Sequence, residues 1–349
     1  MRLSFIASAT LVALPLTAQS PTIAARADSM LRDAERRGFS GSVLITIDGR
    51  PALLKGYGLA ERATARRFTP ATVVQIGSNT KDFTTVAILQ LVDAGKLSLD
   101  DSLPTIWQGV PADKRGITVR MLLTHRAGFA GHADPIAGDF APVTRPQMVD
   151  RALARALAFR PGTREQYSNE GYSLLAAIIE LRRGESFDQY VQQRILAPIG
   201  LTRTGFHLPA FATSDLAHGY TREGRDNGTM LSRPHASDGP FWNLRGNGGM
   251  LSTLEEMQRF YTALYGDKLV GRALRAEFFP DQPTALAGSD NVSFFGFAHE
   301  PGLKLDLLLA STNAAVPGPS VFRPLIQMIT GRRGPDGEDA PPATARAVS

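Results

Sequence analysis

Sequence typical of β-strands lies near both ends of the chain, and this arrangement limits the possible folds more than any other feature. Near the start, the apolar runs 42–47 and 52–57 flank Asp48-Gly49, a dipeptide typical of tight hairpin turns. Near the other end, the apolar segments 292–298 and 303–310 have the length of strands. Strands at the two ends, with helical sequence between them, predict one antiparallel sheet assembled from both ends of the chain.

Helical sequence flanks this sheet and fills the middle of the chain. The spacing of apolar residues predicts a first helix over 22–37 and a closing helix over 321–330. Between roughly 98 and 265, helical runs at 173–183 and 253–265 alternate with long connections rich in glycine and proline. We therefore expect an α+β fold, in which the antiparallel sheet carries terminal helices and an inserted, mainly helical lobe.

Composition limits the classes of function. The 349 residues are 43% hydrophobic and 20% charged, which is enough apolar sequence for a large buried core. The net charge of +5 comes from basic residues scattered along the chain, so the sequence predicts no nucleic-acid partner. There is no cysteine, which excludes disulfides, thiolate metal ligands and a cysteine nucleophile. A catalytic nucleophile must therefore be an oxygen or a nitrogen.

The two ends of the chain differ from the rest. Residues 1–18 combine an early arginine, an apolar stretch and two small residues before the polar Gln19, which is typical of an export signal. An uncleaved membrane anchor is the alternative. Residues 332–349 are rich in glycine, proline, alanine and charge, and we expect a disordered tail. The expected mature protein is one domain over 19–331, exported to the periplasm or beyond, with no membrane span after signal removal.

The tetrapeptide Ser78-Asn79-Thr80-Lys81 lies at the start of a run, 79–94, in which apolar residues cover most of a helix's circumference. Such a helix must be buried. Positions three apart share one face of a helix, so the Ser78 hydroxyl and the Lys81 amine can lie within hydrogen-bonding distance. A neutral lysine can then accept the serine proton and activate the hydroxyl as a nucleophile. The helix start also presents N–H groups to a developing oxyanion.

A neutral lysine near pH 7 requires a lowered pKa, which desolvation and the positive end of the helix both favour. The S-x-x-K pattern alone is weak, because such matches arise easily by chance. Its position after Gly77, directly before a long apolar helix, makes it informative.

A second polar motif, Tyr167-Ser168-Asn169, follows Pro161-Gly162 and precedes the helical run at 173–183. A phenol beside a lysine can move protons between nucleophile and leaving group. The asparagine amide can bind a substrate carbonyl and the lysine together. The alternative is structural: a loop tyrosine, followed by an asparagine that caps the next helix.

Together these motifs resemble the penicillin-recognising serine hydrolases, the group of class C β-lactamases, D-alanyl-D-alanine carboxypeptidases and related esterases. Four further segments are similar to recurring patterns of that family: Leu122-Leu123-Thr124-His125-Arg126-Ala127-Gly128, with alanine where serine is usual, Pro161-Gly162-Thr163 through Tyr172, Ala197-Pro198-Ile199-Gly200-Leu201, and Gly248-Gly249-Met250-Leu251-Ser252-Thr253. The resemblance implies a fold of the β-lactamase and transpeptidase type. It also implies catalytic roles for Ser78 as the acyl-forming nucleophile and for Lys81 and Tyr167 as the proton-handling pair. Asn169 is implied as a contact to substrate and lysine.

The third motif of this family departs from its usual form. Members carry lysine or histidine, a small residue and glycine on a strand beside the cleft, whereas this chain has Leu286-Ala287-Gly288-Ser289. Without the cation, a substrate carboxylate would lose about 1.5–3 kcal/mol of recognition. Gly288 still permits close backbone approach, and the Ser289 N–H can complete an oxyanion hole. Lys304 and Arg245 are the candidates to supply charge from elsewhere.

These observations predict an exported serine hydrolase that forms an acyl-enzyme on Ser78 and acts on a small ester, amide or peptide-like substrate, with esterase-like activity ahead of β-lactam hydrolysis. A β-lactamase, a D-Ala-D-Ala carboxypeptidase and a non-hydrolytic relative that binds a cell-envelope ligand are the alternatives. No cofactor and no metal are expected, because the six histidines include no pair at helical spacing. Residues 204–246 are expected to shape the pocket, with Phe241 and Trp242 either lining it or packing in the core. The oligomeric state is not predicted.

Overall fold

The computed structural model describes residues 20–129, 138, 140–207, 210–232, 241–289, 293–312 and 315–331. The predicted export signal at 1–18 and the predicted tail at 332–349 lie outside these residues.

The described residues form strands and helices in the following order along the chain. The strands are β1 Gly41–Ile47, β2 Arg50–Tyr57, β3 Leu59–Glu61, β4 Arg66–Arg67, β5 Val74–Gln75, β6 Gly219–Tyr220, β7 Asp226–Gly228, β8 Leu251–Ser252, β9 Thr284–Ser289, β10 Phe294–Glu300 and β11 Leu305–Ser311. The helices are α1 Ser20–Arg36, α2 Thr80–Asp93, α3 Val119–Leu123, α4 Arg145–Ala154, α5 Asn169–Arg183, α6 Phe187–Val191, α7 Leu254–Tyr265, α8 Arg272–Phe278 and α9 Pro319–Thr330. A short 3₁₀ turn, Gly77–Asn79, leads into α2.

The main sheet has five antiparallel strands in the order β2-β1-β11-β10-β9. β1 pairs with β11 along its whole length, from Gly41 opposite Ser311 to Ile47 opposite Leu305. The prediction that both ends of the chain build one antiparallel sheet is therefore confirmed, together with the α+β class. The last two strands begin two residues later than predicted, and the turn Pro301–Leu303, followed by the left-handed Lys304 (φ 47°), separates them.

Apolar side chains cover both faces of this sheet. On one face, Val43 and Ile45 of β1 share a cluster with Leu31 of α1 and Leu325 of α9. Side chains alternate between the two faces of a strand, so Leu44 points the other way and joins the large cluster built by the helical lobe and α2. Every residue of β1 is buried for this reason.

α2 runs through the large core, as its apolar circumference predicts. Its apolar residues from Phe83 to Leu91 are buried, and so are its polar residues Lys81 and Asp82. None of the helices in the described ranges has the length and hydropathy needed to cross a lipid bilayer.

Candidate active site

Ser78 lies in the 3₁₀ turn directly before α2 and is the half-buried residue between two buried neighbours. Gly77 has a left-handed φ of 52°, and a Cβ there would lie 2.7 Å from the backbone carbon of Gly288. A side chain at Gly288 would in turn lie 2.5 Å from the Ser78 nitrogen. Both glycines are therefore needed for β9 to pack directly against the turn that carries Ser78.

The structure brings the three predicted catalytic side chains into contact. The Ser78 Oγ lies 2.5 Å from the Tyr167 Oη, although the two residues are 89 positions apart. The Lys81 Nζ lies 3.3 Å from the same Ser78 oxygen and 4.6 Å from the centre of the Tyr167 ring. One hydroxyl thus faces both an amine and a phenol, which is the arrangement that proton transfer requires.

Lys81 is fully buried, and two oxygens fix its amine. The Lys81 Nζ donates to the Asn169 Oδ1 at 2.8 Å and to the backbone oxygen of Asn247 at 2.6 Å. A neutral amine has two N–H groups for these acceptors and a lone pair that can receive the Ser78 proton. The geometry therefore suits a lysine that acts as a base toward Ser78.

Asn169 contacts the lysine and does not cap α5. The Ser168 Oγ accepts the backbone N–H of Gly171 at 3.2 Å, so Ser168 is the N-cap and Asn169 is the first helical residue. The capping alternative for Asn169 is therefore wrong, and α5 begins four residues before the predicted run. Its amide oxygen is left to accept from Lys81.

Asn247 is a site residue that the sequence motifs do not reveal, because it binds Lys81 through its backbone. Its side chain holds that carbonyl in place by donating from Nδ2 to the Ser173 Oγ at 2.8 Å and to the Asn243 oxygen at 2.7 Å. The Gly248-Gly249 pattern next to it was the available signal.

A small, narrow cleft opens beside Ser78. It is lined by Ser78, Asn79, Lys81, Asp82, Tyr167, Leu286 and Ala287. Leu286 and Ala287 thus form the β9 wall of the cleft. The backbone nitrogen of Ser289 lies at the same edge, 2.8 Å from where a Cβ of Gly77 would be.

Neither candidate for a substitute cation reaches this cleft. Arg245 is 1% exposed and faces Glu180 at 3.6 Å inside the helical lobe. The Lys304 Nζ binds the Asp48 Oδ1 at 2.9 Å in the turn region of the sheet. Phe241 and Trp242 are buried in the core cluster, so the core-packing alternative holds for both. Of the described residues that line the cleft, Lys81 alone carries a basic group.

A buried polar network supports the Ser78 turn from behind. The Tyr261 hydroxyl donates to the Asp82 Oδ2 at 2.8 Å and lies 3.3 Å from the Asn79 Oδ1. The Asn79 Nδ2 donates to the backbone oxygens of Ile76 at 2.9 Å and Phe295 at 3.2 Å. Asn79 therefore connects the turn to β10, independently of the Ser78 side chain.

Burial sets the protonation of the acidic groups in this region. It raises the pKa of Asp82 to about 7, against the opposing effects of the Tyr261 hydrogen bond and Lys81. Burial also raises the pKa of Tyr167 above that of an ordinary tyrosine, while the hydrogen bond with Ser78 lowers it. Tyr167 is therefore a neutral phenol at pH 7 and can donate as well as accept.

Within the described ranges, no three His, Asp or Glu side chains are grouped closely enough to hold a metal ion.

Comparison with known proteins agrees with this architecture. The pattern of the beta-lactamase family matches residues 24–312. A putative penicillin-binding protein, PbpX of Bacillus subtilis, is 31% identical over 265 residues, which cover 76% of this chain and 63% of that protein. The chain thus spans less than two thirds of the length of this relative.

Two solved structures share the fold. The D-amino acid amidase from Ochrobactrum anthropi SV3 has a TM-score of 0.75 and 20% identity, over 89% of this chain and 99% of that chain. The beta-lactamase/D-alanine carboxypeptidase from Pseudomonas syringae has a TM-score of 0.75 and 20% identity, over 90% of this chain and 100% of that chain. The family pattern covers most of the chain, and the chain therefore belongs to the beta-lactamase family.

Proposed function

We propose that this chain is a serine hydrolase that works through an acyl-enzyme on Ser78. The observation that carries the proposal is the position of the Ser78 Oγ, which lies 2.5 Å from the Tyr167 Oη and 3.3 Å from the Lys81 Nζ. A hydroxyl that touches a buried amine and a half-buried phenol is placed to lose its proton as it attacks a carbonyl carbon.

The reaction proceeds in two stages. Ser78 Oγ attacks the carbonyl carbon while its proton passes to the Lys81 Nζ, and the resulting oxyanion lies beside the backbone N–H groups of Ser78 and Ser289. The bond to the alcohol or amine then breaks, and the leaving group departs with a proton that Tyr167 relays from Lys81. Water attacks the acyl-enzyme, gives its proton to the same pair, and releases the acid and the free Ser78 hydroxyl.

The lining of the cleft favours substrates without a carboxylate at the β9 wall. Leu286 and Ala287 stand where a cation would bind such a group, and the nearby acidic side chain is Asp82. An approaching carboxylate would lose water without gaining a charged partner on that wall. We therefore place uncharged esters and amides first. The named activities of the two solved structures, an amidase and a beta-lactamase/D-alanine carboxypeptidase, support amides.

A fluorophosphonate probe followed by mass spectrometry tests the nucleophile. We expect one adduct, on Ser78, because its hydroxyl is the activated one. An unmodified Ser78 would refute the hydrolase and favour the non-hydrolytic, ligand-binding alternative. Turnover of p-nitrophenyl butyrate beside a chromogenic cephalosporin then ranks the substrates, and faster cephalosporin hydrolysis would contradict the preference for uncharged substrates.

Replacing Leu286 with lysine is expected to move this preference toward carboxylates. Leu286 lines the cleft with Asp82 and Tyr167, so we expect a lysine there to bring its ammonium to this wall. A charge-assisted contact of about 1.5–3 kcal/mol should raise the ratio of kcat/KM for the cephalosporin over the ester by roughly 10- to 100-fold. Leu286→Met keeps the bulk without the charge and should leave the ratio unchanged. Equal ratios in the two variants would show that this wall does not contact the substrate carboxylate.

We also propose that the enzyme acts after export. The support is the order of an early arginine, an apolar stretch and small residues in 1–18. Expression of the full chain in a bacterium, followed by cell fractionation and N-terminal sequencing, tests this, since a chain that stays in the cytoplasm with Met1 retained would contradict it.

A further inference from the structure

We propose that His125 is a positioning residue that holds Tyr167 against Ser78, and that it does so as a hydrogen-bond acceptor. The inference rests on the proposed function, since His125 acts through Tyr167. Tyr167 belongs to the stretch 161–168, which is fully described and contains neither helix nor strand. Contacts from outside this stretch must therefore fix the position of the phenol.

His125 binds both chain neighbours of Tyr167. Its backbone oxygen accepts the N–H of Gln166 at 2.9 Å, and its Nδ1 accepts the N–H of Ser168 at 3.1 Å. The two donors lie immediately before and after Tyr167. A single residue thus fixes the backbone on both sides of the phenol.

The backbone of His125 is strained in a way that makes this double contact possible. His125 has φ 55°, in the left-handed region that residues with a side chain rarely adopt. Such a conformation costs about 1 kcal/mol or more and persists where the surrounding structure enforces it. The two hydrogen bonds show that here the carbonyl and the ring both face the segment that carries Tyr167.

The imidazole ring also packs against the phenol. The centre of the His125 ring lies 4.8 Å from that of Tyr167 and 5.1 Å from that of Tyr172. Tyr172 is itself fixed, because its hydroxyl donates to the backbone oxygen of Leu123 at 3.0 Å. The packing restricts the Tyr167 ring, while the hydrogen bonds restrict its backbone.

The protonation of His125 suits an acceptor. The ring is 2% exposed, and burial, with a smaller contribution from Lys81, lowers the pKa of His125 to about 3. The ring is therefore neutral at ordinary pH. Because Nδ1 accepts from Ser168, the proton must lie on Nε2.

Small displacements of Tyr167 should be costly. Its Oη lies 2.5 Å from the Ser78 Oγ, and misplacement of a reacting group by about 1 Å can reduce a rate roughly 100-fold. Loss of the acceptor at His125 removes the hydrogen bond that holds the Ser168 backbone next to Tyr167. It removes no group that touches the substrate.

Two variants separate the acceptor from the bulk of the residue. In His125→Asn, the Oδ1 replaces the Nδ1 at the same distance from the backbone, and asparagine tolerates a positive φ. His125→Leu has comparable size and no acceptor. With the p-nitrophenyl ester, we expect His125→Leu to lower kcat about 100-fold with little change in KM, and His125→Asn to retain at least about a tenth of kcat. Equal losses in both variants would overturn the proposal.

The same substitution in a Tyr167→Phe background tests whether His125 acts through the phenol. If it does, adding His125→Leu to Tyr167→Phe should lower kcat by less than about threefold more, because the group being positioned is already gone. A further loss of about 100-fold would show an effect that does not pass through Tyr167 and would overturn the proposal.

Nuclear magnetic resonance of the wild-type chain tests the protonation state of His125 directly. This test does not depend on whether His125→Leu folds. In protein labelled with ¹⁵N-histidine, the signal that disappears in His125→Asn should report a neutral ring with the proton on Nε2 from about pH 5 to pH 9. A proton on Nδ1, or a charged ring in that range, would overturn the proposal. If Ser78 takes no probe, the hydrolase proposal fails by itself, and this spectrum still decides the hydrogen bond of His125.

Discussion

Replacing Ser78 with alanine is expected to abolish turnover of every substrate and to leave the fold intact. The change removes the one oxygen that lies 2.5 Å from the Tyr167 hydroxyl and 3.3 Å from the Lys81 amine. Loss of the nucleophile in serine hydrolases costs about 10⁶-fold in kcat, and we expect a loss of at least roughly 10⁴-fold here. The measurements are ester hydrolysis by the purified variant and its reaction with the fluorophosphonate probe.

The fold should survive because other groups hold the turn. Asn79 binds the backbone oxygens of Ile76 and Phe295, and the close packing of Gly77 on Gly288 does not involve the Ser78 side chain. We expect the free energy of unfolding to change by less than about 1 kcal/mol.

A serine far from the cleft provides the control. Ser320 is exposed, and its Oγ donates to the backbone oxygen of Pro317 at the start of α9. Ser320→Ala makes the same chemical change and should keep full activity. A Ser78→Ala variant with more than about a hundredth of wild-type kcat would show that another residue forms the acyl-enzyme.

Part of this site follows from the sequence because it depends on local geometry. Ser78 and Lys81 are three residues apart at the start of α2, so helical periodicity alone brings them together. The burial of α2 follows from its apolar circumference in the same way. Tyr167 and Asn169 are separated from this helix by more than 80 residues, and their approach was implied by the family resemblance and not by any local pattern.

The rest depends on backbone groups and long-range packing, which residue types do not encode. Asn247 holds Lys81 through a carbonyl that every residue possesses, so no motif marks it. Ser168 caps α5, while the Asn169 side chain contacts Lys81, which is 88 residues away in the sequence. The sequence allows Arg245 as a substitute cation for the cleft, but in the structure Arg245 pairs with Glu180 inside the helical lobe.

Replacing Lys81 with alanine is expected to lower the rate of acylation by about 10³-fold or more and to destabilise the fold as well. The rate falls because Ser78 loses the base that receives its proton. Stability falls because a buried acceptor, the Asn247 oxygen, and a half-buried one, the Asn169 Oδ1, lose their donor. Each unsatisfied buried acceptor costs about 1–3 kcal/mol. The measurements are the rate of probe labelling at Ser78 and the thermal unfolding midpoint, and labelling within about tenfold of wild type would show that Lys81 is not the activating amine.

Addition of a small amine distinguishes the two effects of Lys81→Ala, the loss of the base for Ser78 and the loss of the donor to the Asn169 and Asn247 oxygens. Lys81→Ala leaves a space beside Ser78 that methylamine can occupy, and its neutral form can donate to both oxygens while accepting the serine proton. Lys81→Met removes the same amine but fills that space with a side chain of similar length. Labelling of Ser78 should therefore recover with increasing methylamine, and with rising pH as more of the amine becomes neutral, in Lys81→Ala only. Equal recovery of labelling in both variants would mean that the amine acts from bulk solvent. Recovery of the unfolding midpoint without any recovery of labelling would assign Lys81 a structural role only. Tyr167 would then be the group that receives the Ser78 proton.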